Sequence, residues 1–263
     1  MSEVKTILLS SLGQVDNILI KKTIDELIII DSSCDIKIEA NVTASFIDIS
    51  NASRIYLEAS NNTFIEYTAI NSVNSNRVFN INGEINYLSV SLKETKEVFN
   101  VNLLSENASC NAKCLVVSSG MNNSFIQEIT HLAPNTFSNI ANVGVAISKS
   151  NITFDTTGKV AKGMSSSKCS QLSRGIVMDD VSSITAKPIL LIDEFDCFAN
   201  HGATIGKMSD EDLFYLMSRG LSKKDAFLLI LQGIIQPFIS SIKHEEYKNR
   251  IEQDIQNLIE KWF

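Results

Sequence analysis

Leu27-Ile28-Ile29-Ile30, Ile36-Lys37-Ile38, Phe46-Ile47-Asp48-Ile49, Ile55-Tyr56-Leu57 and Phe64-Ile65-Glu66-Tyr67 follow one another in the first part of the chain. Each is a short β-rich run, and several alternate apolar with polar residues, the pattern of a strand with one buried face. Asp31-Ser32-Ser33 and Ser60-Asn61-Asn62 separate them. Such residues turn the chain because their short polar side chains bond the local backbone. The rhythm, about eight to ten residues from one run to the next, continues through Asn86-Tyr87-Leu88-Ser89-Val90 to about Ile192. Helical periodicity and long loops are almost absent over that length. A sandwich or barrel and a β-solenoid both fit. Length favours the solenoid, because stacking adds coils without enlarging the core cross-section. Asn, Ser and Thr between the runs suit solenoid corners, although no strict repeat is legible.

The end of the chain reads differently. Ser209 with Asp212 makes a capping box ahead of Leu213, Phe214, Leu216 and Met217, and Gly220 supplies a stop. Ser222 with Asp225 makes a second, ahead of Ala226, Leu229, Ile230 and Gly233, and this helix is expected to end before Pro237. A third helix is expected to start near Ser241, with Tyr247, Ile251, Ile255, Leu258, Ile259 and Trp262 at helical spacing. Three such helices cannot bury themselves, so they must pack on the end or side of the β body. The expected division is a β domain over 1–206 and a helical domain over 207–263.

Composition narrows the function. The chain has 263 residues, 44% hydrophobic and 20% charged, which suits an ample core and excludes disorder. Of 23 basic and 30 acidic residues, 8 and 9 lie in 207–263, so the excess behind the net charge of −7 sits in the β part. That balance argues against a nucleic-acid surface, and a solvated acidic face explains it. Met1 to Gly13 does not read as a signal peptide. The longest apolar stretch, Ala226 to Ile239, is interrupted by Gln232, Gln236 and Pro237 and is too short to span a bilayer. The expectation is a cytoplasmic protein with no membrane partner. Five irregularly spaced cysteines, Cys34, Cys110, Cys114, Cys169 and Cys197, do not make a disulfide framework, and buried structural thiols are the default. Cys110 and Cys114 share a face if they lie on a strand, but a turn between them is equally open.

Gly202-Ala203-Thr204-Ile205-Gly206-Lys207-Met208 imitates a phosphate loop with one residue too few between its glycines and Met208 where a hydroxyl belongs. Nucleotide binding by this chain is rejected. Asp193, Glu194 and Asp196 lack a basic partner nearby, and no Gly-x-Ser-x-Gly elbow is present, so a carbohydrate-active enzyme is disfavoured.

Several ordered motifs carry a resemblance. They are His131-Leu132-Ala133-Pro134-Asn135-Thr136-Phe137-Ser138, the segment from Gly163 to Arg174, and Lys187-Pro188 with His201 thirteen residues on. Then come Ala199-Asn200-His201-Gly202-Ala203-Thr204-Ile205-Gly206-Lys207, read as a small-residue tight-turn segment, and Asp212 to Leu221. Over residues 125 to 240 the chain resembles the SufB/SufD family, scaffold proteins of iron–sulfur cluster assembly. The resemblance implies a right-handed parallel β-helix, here of roughly eight to ten coils, and a non-enzymatic scaffold. It implies lateral pairing with a SufB-like paralogue or an identical subunit. It further implies docking of a SufC-type ATPase on the tail helices, with Leu213, Phe214, Leu216, Met217, Arg219, Leu221, Leu228, Leu229 and Ile230 as candidate contacts.

In SufD-like members a histidine at the position of His201 lies near the subunit interface and is linked to cluster assembly, so His201 is the metal or cluster-assembly candidate. Otherwise His201 would be a hydrogen-bonded residue where β body and helices join. No stably bound cofactor is expected, only a transient iron–sulfur cluster at the interface. Where SufB-like members carry a cysteine and a glutamate this chain has Ser182 and Gly202, and Val143 replaces a usual arginine, which points to a SufD-like role. The family commonly has a helical domain ahead of the β-helix, for which this chain leaves no room, the pattern of a reduced member. A β-solenoid binding or structural protein without metal chemistry is the alternative.

Overall fold

The computed structural model describes residues 6–8, 17–51 and 53–262. Most of the Met1 to Gly13 segment, read as no signal peptide, lies outside them. The strands are β1 (Thr6–Leu8), β2 (Asn17–Ile20), β3 (Leu27–Ile30), β4 (Cys34–Ile38), β5 (Thr43–Asp48), β6 (Ser53–Ala59), β7 (Phe64–Ile70), β8 (Asn74–Ile81) and β9 (Glu84–Ser91). They continue as β10 (Lys96–Leu103), β11 (Ser109–Ser119), β12 (Asn122–His131), β13 (Phe137–Ile147), β14 (Asn151–Val160), β15 (Ser167–Val177), β16 (Ser183–Ile192) and β17 (Cys197–Gly206). Helices α1 (Asp210–Ser218), α2 (Lys223–Ile239) and α3 (Glu245–Glu260) complete the described chain.

Odd strands form one nine-stranded sheet and even strands an eight-stranded sheet, each in sequence order and each parallel throughout. Every strand therefore pairs with the strand two further on, which is a β-helix with two strands per coil. Each corner must reverse the chain in a few residues. Asn41, Asn62, Asn71, Asn107 and Asn135 do this with positive φ, the conformation asparagine tolerates best among residues with a side chain. The missing repeat has a geometric cause. Thr43 pairs with Phe64 and Phe64 with Glu84, offsets of 21 and 20 residues, whereas Phe137 pairs with Lys168, an offset of 31. The coils lengthen along the axis, so no single period runs through the sequence.

Inside, alternate residues pack into a column that includes Ile36, Phe46, Leu57, Tyr67, Phe79, Tyr87 and Phe99. Tyr87 and Phe99 stack with ring centroids 3.8 Å apart. Three charged side chains share that interior. Arg77, 0% exposed, donates from Nη2 to Asp48 Oδ2 at 2.6 Å and from Nη1 to Glu97 Oε2 at 2.9 Å. Tyr67 donates to Asp48 (2.7 Å), and Tyr87 and Ser89 donate to Glu97 (3.0 and 2.8 Å). Burial, and after it the adjacent carboxylate charge, holds both phenols well above their ordinary pKa, so they remain donors. The guanidinium thus joins β5, β8 and β10, tying successive coils across the interior.

On β11, inward residues alternate regularly, but Leu115, Val116 and Val117 are all buried. The same break occurs at Val143 to Ile147 on β13. Both faces are covered there, because α2 and α3 lie on the outside of the nine-stranded sheet. Phe227, Leu231, Ile235 and Ile239 of α2 and Ile251, Ile255 and Ile259 of α3 share one cluster with Leu115, Val117, Val143 and Val145. At about 25 cal/mol per Å², this shared cluster fixes the tail to the side of the β body.

Both capping boxes form: Ser209 accepts from Asp212 N at 3.2 Å and Ser222 from Asp225 N at 3.1 Å, and Gly220 takes φ +96° after α1. Two boundaries differ from expectation. Helix α2 continues through Pro237 to Ile239, since only the last turn lies beyond the proline and Phe238 and Ile239 are buried. Helix α3 starts at Glu245, after a turn that buries Ile242.

Arg77→Met should lower stability by about 3–5 kcal/mol, because it strands two buried carboxylates. Arg77→Met combined with Asp48→Asn and Glu97→Gln should recover part of that loss. Urea unfolding monitored by far-UV circular dichroism measures both, and a wild-type midpoint for Arg77→Met alone would contradict this role for the guanidinium.

Candidate functional site

The solenoid has a free end. Strand β17 terminates the nine-stranded sheet and β16 the eight-stranded one, so each has a pairing partner on one side only. His201 sits in the middle of β17, opposite Gln171. The segment expected as a tight turn is instead a regular strand, because Ala199 to Gly206 pair residue by residue with Cys169 to Ile176. A small-residue stretch reads as a turn in sequence, yet a preceding coil offers it a complete ladder. This also disposes of the phosphate-loop likeness, which would need a loop opening onto a helix.

Gln171 is buried in the interior column, so His201 caps that column at the mouth of the solenoid and is exposed only because no further coil covers it. Gly202 follows on the outer face opposite Leu172, and a side chain there would come within 3.3 Å of Leu172 Cδ1. Below the mouth, Cys169 Sγ and Gln171 fill the space left by Gly158, where a Cβ would lie 2.4 Å from the sulfur. On the last two strands Ile205 shares the inward side of His201, whereas Ile189, Leu191 and Phe198 (59% exposed) project from the outer faces around this end. Pro188 fits here, since a proline is tolerated on an edge strand.

Sequence reasoning passed over these apolar residues. The signal was Ile189-Leu190-Leu191-Ile192, four apolar residues without alternation and with no later strand to bury both faces.

Ser182 is not brought to His201. It belongs to the corner after β15, where Ser182 Oγ donates to Asp179 Oδ2 (3.0 Å) and accepts from Ser150 N (3.1 Å). Burial works against the Asp179 charge, but hydrogen bonds from Ser182, Val181 and Ser148 outweigh it and hold the carboxyl below its usual range. Glu194 is likewise engaged by backbone N–H groups, of Asp196 at 3.0 Å and Gly163 at 2.7 Å. These carboxylates bind loops of adjacent coils together. Val143, in place of the arginine, is part of the cluster under α2.

Cys110 and Cys114 lie on β11 with both side chains buried, which decides for the strand. Burial raises both thiols, and it pushes Cys34 up to about 12. Cys197 lies at the mouth with Sγ 3.2 Å from Glu194 O, and burial followed by the charges of Glu194 and Asp196 raises its thiol. Among the described residues no three His, Cys, Asp or Glu side chains converge to hold a metal ion.

The tail candidates fall on a second exposed surface beside this end. Helix α1 has no buried residue. Phe214 (75% exposed), Tyr215, Met217 and Leu229 are open, while Leu213, Leu216, Leu221, Leu228 and Ile230 are half-buried. Arg219 places its guanidinium carbon 5.1 Å from the centroid of Tyr215. Tyr215 was missed, although it directly follows Phe214 in an otherwise legible amphipathic helix. Among the described residues no helix is long and apolar enough to cross a membrane.

His131 lies inside, with Nδ1 2.7 Å from Thr136 Oγ1 and Nε2 2.8 Å from Ser138 Oγ. It ties the turn after β12 to the start of β13.

The chain is similar in sequence to known proteins. The SufBD core domain of SUF-system FeS cluster assembly matches residues 25–234. The iron–sulfur cluster assembly protein SufD of Bacillus subtilis is 31% identical over 151 residues, covering 57% of this chain and 35% of that protein. SufB of the same organism is 34% identical over 122 residues, 45% of this chain and 25% of its own. An iron–sulfur cluster assembly SufBD family protein of Staphylococcus epidermidis is 28% identical over 240 residues, 83% of this chain and 50% of its own. The matched part thus spans between a quarter and a half of each of these relatives.

Burial drives the His131 pKa down to about 4, from 6.5. The neutral form is favoured in the folded state, so its contribution is intact above pH 6.5 and is lost as the pH falls from 6.5 toward 4. The loss is at most about 3 kcal/mol. Denaturant midpoints across this range should fall for the wild type and fall less for His131→Gln; parallel curves would contradict the assignment.

Proposed function

On the premise that this chain belongs to the SufBD core domain family of the SUF iron–sulfur cluster assembly system, we propose that it is a non-enzymatic, SufD-like scaffold subunit. It pairs with a SufB-like or identical subunit, docks a SufC-type ATPase and holds its iron–sulfur cargo only transiently. One observation carries this reading: His201 stands exposed at the mouth of the solenoid, on a strand with one open edge and next to exposed apolar residues of the last two strands. Unpaired strand edges invite pairing with another chain. Those apolar residues supply what an interface core requires, and dehydrating this end would enclose an imidazole able to ligate iron. We place this pairing at the end of the solenoid where the two open strand edges lie.

Phe214, Tyr215, Met217 and Leu229 form the surface assigned to the ATPase. Aromatic and methionine side chains are enriched in interface cores, and Arg219 over Tyr215 adds an anchor of the type found at binding hot spots. A partner there can move α1 without unpacking the sheet, since α1 buries no residue while α2 and α3 are fixed to the body.

Leu191→Asp with Phe198→Asp should convert the paired scaffold to single subunits in light scattering, and undiminished pairing would remove the end-on interface. Phe214→Asp with Met217→Asp should weaken ATPase capture by about tenfold or more at an unchanged circular dichroism spectrum. Point changes serve better than deletion of the tail, which would bare Leu115, Val117 and Val145. His201→Ala should lower the iron and sulfide recovered with the complex while pairing persists. Cluster content unchanged by that substitution would leave the chain an architectural subunit only.

A further inference from the structure

Away from both of these surfaces, α3 crosses the corner of the solenoid that follows β5, β7 and β9 and leaves a cavity of about 220 Å³. Ile251 of α3 and two isoleucines of the corner make an apolar floor. Asn51, Asn71, Lys93, Tyr247 and Arg250 make the wall. No carboxylate lines it. Lys93 and Arg250 have no salt-bridge partner among the described residues, although the chain carries a net charge of −7.

Both cations are exposed side chains on backbone held by neighbouring contacts. The carbonyl of Lys93 accepts from Asn123 Nδ2 (2.6 Å) and from the hydroxyls of Ser91 and Thr95 (3.1 Å each). Arg250 precedes Ile251, which is 1% exposed and packed in the cluster beneath the helix. Asn71 takes φ 54° and commits Oδ1 to the N–H of Leu92 (2.8 Å), so only its amide donors remain for a ligand. The Tyr247 phenol is held protonated by its burial and by Glu246, against the opposing effect of Arg250, and is also a donor. The neighbouring cavity beside β11 differs in this respect. Its lysines are already engaged, Lys113 by Ser241 Oγ (2.8 Å) and Lys243 by Glu66 (3.9 Å).

We propose that Lys93 and Arg250, with Asn71 and Tyr247, form a binding site for a phosphate group, supplied as the free ion or on a small phosphomonoester. The guanidinium matches two phosphate oxygens in bidentate geometry, and an ammonium acts as a point charge on the same group. Because Lys93 belongs to the β body and Arg250 to the tail, the bound anion joins the two and stabilises their packing. The site does not depend on the scaffold reading.

Titration calorimetry on the full chain at low salt tests it, with inorganic phosphate in one arm and glycerol 3-phosphate in the other. Binding in either arm is expected, weakening as salt is added and accompanied by a rise in Tm. Lys93→Ala and Arg250→Ala should each weaken it by about tenfold, while Lys168→Ala, on β15, should not. Stronger binding of one probe identifies the source of the phosphate. Absence of heat with both probes up to about 10 mM, or wild-type affinity in both cavity variants, would overturn the proposal.

Discussion

Each coil of this protein satisfies the backbone of the coil before it, and that obligation organises everything else. A strand in a parallel ladder has two edges of N–H and C=O groups, and both must find partners or face water. Here the next coil meets one edge at every step until β17 ends the nine-stranded sheet and β16 the eight-stranded one. The free end is thus a consequence of the architecture. It gathers in one place a strand with one open edge from each sheet, exposed apolar residues of those strands, and the histidine at the top of an interior column. An exposed surface arises where the repeat stops.

The interior explains why the coils stay in register even though they differ in length. Apolar columns alone would tolerate sliding of one coil against another, since isoleucine packs on isoleucine at several offsets. The contacts of Arg77 with Asp48 and Glu97 are directional and span three strands, so a slipped register would leave buried charges unpaired. Outside, α2 and α3 cover the longer strands of the nine-stranded sheet, so Leu115, Val117, Val143 and Val145 are packed on both sides of the sheet. The tail therefore shares a core with the coils, and among its helices α1 alone has no fully buried residue, although Leu213 packs against that cluster.

Much of this was legible in the residues. The run of short alternating strands from Leu27 onward and the asparagine- and serine-rich corners indicated a solenoid. Both capping boxes and the Gly220 stop were readable because capping chemistry is local, and the order of motifs from His131 to Leu221 indicated the family. Three charged residues on core parity, Asp48 after Phe46, Arg77 before Phe79 and Glu97 before Phe99, were also visible, but parity alone does not reveal that they meet. Pro237 was misread because a local rule ends a helix at proline, whereas burial of Phe238 and Ile239 extends α2 by two residues. Ala199 to Gly206 was misread for a related reason: small residues favour a turn unless a preceding coil offers a ladder.

What the sequence determined by itself were properties set within a few residues: strand periodicity, turn chemistry, helix starts, the absence of a phosphate loop and the motifs that identify the family. The tertiary structure alone decided which residues share a column, which strand edge stays open and which faces are covered twice. His201 lies thirty residues from Gln171 in sequence and directly opposite it in the fold, and Lys93 reaches the same cavity as Arg250 from the far side of the chain. Such neighbours follow from coil length and from the packing of the tail. Both depend on long-range burial and hydrogen bonding, which leave no pattern in any short stretch of residues.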